Sequence, residues 1–127
     1  MLFKPIASLL FLGYANAAIV VSLVSTSGVT VPYNVDPDGS CFSLNGGSLT
    51  QFNDHLQQME IPSGYECTIW ENFNCNGKHT NALIGSPRIA EVCPKLTWNW
   101  ALAASSFRCC KTTSNGSWCA GGIPTCT

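Results

Sequence analysis

Eight cysteines, at positions 41, 67, 75, 93, 109, 110, 119 and 126, carry most of the potential chemistry in this 127-residue chain. Thiolates can hold a metal, act as nucleophiles or pair as disulfides. No two of these cysteines form a Cys-x-x-Cys knuckle, which argues against a zinc site. An even number of them behind an export signal reads as a disulfide framework formed in an oxidising compartment. All eight (Cys41, Cys67, Cys75, Cys93, Cys109, Cys110, Cys119 and Cys126) are therefore expected to be bonded, which leaves no thiol for catalysis. A domain of this size has a modest core, and each cross-link adds about 2 to 4 kcal/mol to its stability.

The other reactive side chains do not assemble into a recognisable catalytic set. Asp54 and His55 are adjacent, with Ser105 or Ser106 as a conceivable nucleophile, but neighbouring side chains do not face each other and no Gly-x-Ser-x-Gly elbow is present. Glycoside cleavage would need two carboxylates from Asp36, Asp38, Glu60, Glu66, Glu71 and Glu91, and no spacing selects a pair. Asp36 and Asp38 are accounted for by the turn Asp36-Pro37-Asp38-Gly39. The chain is expected not to be an enzyme and to carry no cofactor.

The N-terminus has the form of a secretory signal. One positive residue, Lys4, precedes the apolar run Ile6 to Leu12, and Ala15-Asn16-Ala17 has the small-x-small form of a peptidase site. Cleavage is expected after Ala17. The rival reading is an uncleaved anchor extended by Ala18 to Val21 toward the roughly 20 residues of a membrane helix, but Pro5, Gly13 and Asn16 interrupt that run. The chain thus divides into a signal peptide (1–17), a β domain (18–110) and a cysteine-linked tail (111–127). Five basic and seven acidic residues remain after cleavage, a formal charge of −2. Nucleic-acid binding wants a dense positive face, and none is visible. No membrane span is expected after cleavage, and the protein is expected to be secreted and monomeric. Asn115-Gly116-Ser117 is a glycosylation sequon placed at Asn115.

The elements needed to position these groups are mostly strands. Val20-Val21, Leu23-Val24 and Val29-Thr30-Val31 are β-branched runs split by Ser25 to Gly28, although part of Ile19 to Val35 has an alternative as a propeptide. Cys41 to Leu44 begins another strand. Phe52, Leu56 and Met59 stand at i, i+4 and i+7, which predicts a short helix or looped turn within Leu49 to Glu60, capped by Thr50 or Asn53. Tyr65 to Trp70 alternates as a strand and then breaks into Asn72, Asn74, Cys75 and Gly77, residues that accept the turn of a β-hairpin. Lys78 to Leu83 is the expected return strand, with His79 on its surface. Ala104 to Cys109 reads as a last core strand, after which Cys109 and Cys110 point to opposite faces. One of them should bond into the domain and the other to the tail. Cys67, Cys75, Cys93 and Cys109 are expected to pair among themselves or with Cys41, and one tail cysteine with Cys110.

The hairpin resembles the Greek-key signature of the βγ-crystallins, in which an aromatic is followed by an acidic residue, a second aromatic stands five positions on, and a Gly two further. Trp70, Glu71 and Gly77 match, and Cys75 occupies the second aromatic position. That variant is similar to small secreted cysteine-rich proteins of filamentous fungi, where a covalent tie takes the place of ring packing. Ala104 to Cys109 resembles the last strand of the same key, and the likeness runs from Gly64 to Cys109. It implies an all-β, disulfide-stapled Greek-key sandwich. The family's calcium motif is half kept in each key, at Asn53-Asp54 and at Ser105-Ser106, which implies at most one weak calcium site from Asp54 and Ser105.

The resemblance and the compartment together lead to a secreted, non-enzymatic, effector-like or toxin-like protein that acts by surface recognition of an extracellular protein or a cell-wall glycan. Two alternatives stand beside it. The first is a proteinase inhibitor using the loop Gly85 to Pro94. The second is a wall-binding or structural protein in which Trp98 and Trp100, on one strand face, stack on sugar rings, although core packing is the usual fate of Trp.

Overall fold

The computed structural model describes residues 18–92 and 99–112. The expected signal peptide (1–17), Cys93, Trp98, the sequon at Asn115 and the cysteines Cys119 and Cys126 lie outside the described residues.

Among the described residues there are seven strands: β1 (Ile19–Ser25), β2 (Thr30–Val35), β3 (Asp38–Ser43), β4 (Leu56–Glu60), β5 (Tyr65–Asn72), β6 (Asn76–His79) and β7 (Ser106–Lys111). They form two antiparallel sheets, one ordered β2-β1-β4 and the other β3-β7-β5-β6. Each half of the chain sends one strand to the other half's sheet. From the first half, β3 crosses to lie beside β7. From the second half, the stretch 85–88 runs along β4, where Met59 N–H donates to Pro87 O, Ile61 N–H donates to Gly85 O, and Gln58 bridges Arg88. This reciprocal exchange is the Greek-key sandwich that the sequence implied, with one crossing strand reduced to a few bonds.

The core lies between the sheets and is filled by Val21, Leu23, Phe52, Ile69, Trp100 and Phe107 among others. Alternation puts the strand residues Val21, Leu23, Ile69 and Phe107 inward, because strand residues two apart share a face, while Phe52 and Trp100 enter the core from 3₁₀ turns. Tyr33, Phe42 and Phe107 form an aromatic run, edge-on at 5.5 Å and then stacked at 5.6 Å. Since Tyr33 is in one sheet and Phe42 in the other, this run ties the two layers together. Among the described residues, no helix is long and apolar enough to cross a membrane. The strand β1 is the middle of its sheet and contributes Val21 and Leu23 to the core. Ile19 to Ser25 is therefore an integral part of the sandwich.

Three local expectations need correction. The helix over Leu49 to Glu60 is instead a 3₁₀ helix at Gly47–Phe52 followed by β4. Its apparent helical spacing has another cause. Leu23 pairs with Met59 and Val24 with Gln58, but Ser25 pairs with Leu56, so Gln57 is the extra residue of a β-bulge. The bulge lets Leu56 and Met59, three apart, both face the core, which mimics helical periodicity. The return strand of the hairpin starts two residues early, at Asn76, and ends at His79. His79 is buried rather than exposed, with its ring 5.4 Å from that of Trp70 and its Nδ1 2.7 Å from Thr80 O.

Deleting Gln57 is expected to remove the bulge and rotate Leu56 off the core, with a loss of about 3 kcal/mol in urea unfolding. Gln57→Ser should leave stability nearly unchanged, because the strand needs the residue count and not the side chain. Equal effects of the two changes would overturn this account.

Candidate functional site

The four connections 26–29, 44–55, 72–77 and 99–105 gather at one end of the sandwich. Their hydrogen bonds show it: Thr26 N–H donates to His55 O, Asp54 N–H to Ala104 O, Leu44 N–H to Ser105 O, and Ser105 N–H to Trp70 O. The hairpin tip 72–77 joins the same end through Ser43 and Ser106.

This tip is held from several directions. Asn74 and Cys75 both have left-handed backbone, at φ 64° and 53°. Asn tolerates that conformation, whereas Cys adopts it only under constraint. The Cys41–Cys75 disulfide, which ties the tip to β3, is one such constraint. Ser106 Oγ accepts from Cys75 N–H at 2.9 Å and donates to Asn72 O at 2.6 Å. Ser43 Oγ accepts from Asn74 N–H at 2.8 Å. Glu71 accepts from Lys78 N–H at 2.7 Å, and Gly77, at φ 88°, lies directly against Glu71 and Asn72. Trp70 packs beneath with the Arg108 guanidinium 5.4 Å over its ring. Each position of the hairpin signature thus has a physical task, and the bond at Cys75 ties the tip covalently to β3.

Among the described residues five large hydrophobic side chains are exposed, and three of them sit on these loops: Val29 at 42% exposure, Phe73 at 39% and Leu102 at 61%. Val20 and Ile84 belong to the rest of the surface. Near the opposite end of β5, Ile61, Pro62, Tyr65, Ile84, Gly85 and Thr112 line a shallow open cleft of about 380 Å³.

The second disulfide, Cys67–Cys109, joins directly opposed residues of β5 and β7 and is fully buried. Cys110 is also disulfide-bonded, and its partner lies outside the described residues. The adjacent pair does face opposite ways, since Cys109 belongs to the core cluster and Cys110 does not.

Asp54 and Ser105, far apart in sequence, are brought to neighbouring loops by the Asp54 N–H to Ala104 O bond. Asp54 is exposed with left-handed backbone, and Asn53 Oδ1 beside it is buried without a hydrogen bond. Calcium takes six to eight oxygens, largely carboxylate and carbonyl. Among the described residues no three acidic, His or Cys side chains cluster around one point.

Of the two serines weighed as conceivable nucleophiles, Ser106 anchors the hairpin through its Oγ, and Ser105 is buried with its backbone bonded on both sides. His55 Nδ1 lies 3.4 Å from Thr26 Oγ1. Trp100 sits in a 3₁₀ turn, Trp100–Leu102, and is fully buried, so it offers no sugar-stacking face with Trp98. The roles of Ser43 and Ser106 were not readable in the sequence, because each bonds a residue 31 positions away.

No family model and no curated protein sequence matches this chain. Solved structures do match in shape. The N-terminal domain of protein S superposes with a TM-score of 0.55 at 11% identity, over 74% of this chain and 98% of that one. A βγ-crystallin domain from Flavobacterium johnsoniae gives 0.56 at 19%, over 76% and 100%. One from Clostridium beijerinckii gives 0.50 at 16%, over 74% and 100%. The fold is that of a βγ-crystallin domain, and at these identities the likeness speaks for the fold alone.

Gly77→Ala should destabilise by about 1 to 3 kcal/mol, because its Cβ would stand 2.5 Å from Asn72 Nδ2 and 2.8 Å from Glu71 Oε2. Gly46→Ala, with nothing within 4 Å, should stay within about 0.5 kcal/mol in the same denaturation assay. Titration calorimetry with calcium is expected to give no more than one event with a dissociation constant on the order of a millimolar, abolished by Asp54→Asn. Micromolar binding would mean that donors beyond Asp54 and Ser105 complete a cage.

Proposed function

We propose that this protein is exported and acts without catalysis, recognising an extracellular protein or wall glycan through the loop-bearing end of its sandwich, as an effector-like or toxin-like module. The observation that carries this reading is the collection of Val29, Phe73 and Leu102, exposed on hydrogen-bonded loops at that end. Apolar side chains held rigidly in water bind with little ordering entropy left to lose, which is the physical basis of preorganised recognition. Left-handed backbone at Asn74 and Cys75 fits the tendency of constrained geometry to gather at functional loops. The described disulfides are compatible with an oxidising, extracellular setting. Membership of the secreted, cysteine-rich, fungal kind rests on the hairpin resemblance together with the signal sequence.

The inhibitor alternative has less to recommend it in geometry. In the loop from Gly85, Arg88 is exposed but Ile89 is fully buried, and the backbone of 85–88 is already engaged along β4. An inhibitory loop instead needs a run of consecutive residues free to enter a protease cleft.

Fluorescently labelled protein should bind isolated fungal and plant cell walls or intact cells saturably. Phe73→Ala and Leu102→Ser should each weaken that binding on the order of tenfold with little change in the unfolding midpoint. Binding unaffected by both would move recognition away from this end. Tight inhibition of any member of a protease panel would favour the alternative.

A further inference from the structure

We propose that the Cys41–Cys75 disulfide is a reductively sensitive lock on the hairpin tip, opened by dithiols while the Cys67–Cys109 bond keeps the sandwich folded; this rests on the reading of the tip as part of the recognition surface. The two bonds differ in position. Both Cys67 and Cys109 are fully buried, on adjacent central strands, with the backbone of Cys67 bonded on its other side to Leu83. A reductant reaches their sulfurs only by opening the core. Cys41 and Cys75 are half-buried, on a strand at the sheet edge and on an exposed turn. Thiol–disulfide exchange requires a thiolate to approach a sulfur in line with the bond it breaks, so access sets the order of reduction.

The reaction balances as a two-electron exchange. One thiolate of an external dithiol attacks a sulfur of the pair, the Cys41–Cys75 bond breaks, and the other cysteine leaves as a thiolate that takes a proton from water. The reductant's second thiolate then attacks the reductant's own sulfur in the mixed disulfide, expelling the remaining cysteine as a thiolate that is protonated in turn, and the reductant departs as its cyclic disulfide.

Once the bond is cut, the backbone at Cys75 loses the covalent reason for its left-handed conformation. Hydrogen bonds from Ser43 and Ser106 remain at the tip, but they hold Asn72, Asn74 and Cys75 only while the turn keeps its shape. Phe73, between them, then becomes mobile. A molecule carried from an oxidising compartment into a thiol-rich one would lose its rigid tip before its core.

The test is graded reduction of the native protein by dithiothreitol, with trapping of thiols by alkylation and peptide mass spectrometry. Cys41 and Cys75 should be trapped on the order of tenfold or more faster than Cys67 and Cys109, with the far-ultraviolet β signal intact. Chymotryptic cleavage after Phe73 should accelerate in step. The double variant Cys41→Ser, Cys75→Ser should keep the β signal, be cut after Phe73 without reductant, and gain nothing there from adding it. Simultaneous trapping of all four cysteines with loss of the β signal would overturn the proposal. So would a tip that stays resistant after Cys41 and Cys75 are free. None of these readouts involves a ligand, so they stand or fall independently of whether Phe73→Ala weakens binding.

Discussion

The pairing of β5 with β7 is the constraint from which the remaining structure follows. These strands are the two middle members of the four-stranded sheet and run opposite each other over six register pairs, from Tyr65 with Lys111 to Trp70 with Ser106. Their inward faces supply Ile69 and Phe107 to the core, and Cys67 and Cys109 join them covalently at the centre. A strand pair separated by this much chain carries a large closure entropy. The buried bond removes part of that entropy from the unfolded state, which matters in a small domain.

Once β5 and β7 are set, the neighbours are determined by edges. The free side of β7 takes β3 from the first half of the chain, and the free side of β5 takes β6 and then Thr80 to Leu83. In return the second half lays residues 85–88 along β4. The exchange interlocks the halves. It also brings the hairpin turn, the two 3₁₀-bearing connections and the β1–β2 turn to a common end. Recognition by a small rigid protein needs such a gathering, because one loop offers too little area for specific binding. The sandwich is therefore a frame, and its chemical character at the loop end comes from Phe73, Leu102, Val29 and the amides around them.

Much of this frame was legible one strand at a time. The hairpin signature Trp70-Glu71 with Gly77 led to the right fold because each residue serves a local need: a carboxylate for the Lys78 amide, and a glycine where a Cβ would collide. The adjacent cysteines were correctly read as facing apart, since period two is a property of any strand. Misreadings arose where a non-local partner changed a local pattern. At Gln57 the bulge exists because β1 pairs across it, and the apolar spacing that results is indistinguishable from a helix turn. His79 looked like a surface residue between Lys78 and Thr80, but Trp70 and the sheet cover it.

By itself the sequence determined most of the strands, the hairpin and the expectation that cysteines cross-link, because all of these depend on residues within a few positions of each other. Only the tertiary structure decided that Cys75 bonds Cys41 while Cys67 bonds Cys109, that Ser43 and Ser106 brace the tip, and that Asp54 lies beside the loop of Ser105. Those contacts span some 30 to 50 positions of chain. No local propensity encodes them. They arise when two sheets exchange strands around one core, and it is that exchange which sets distant residues within bonding distance.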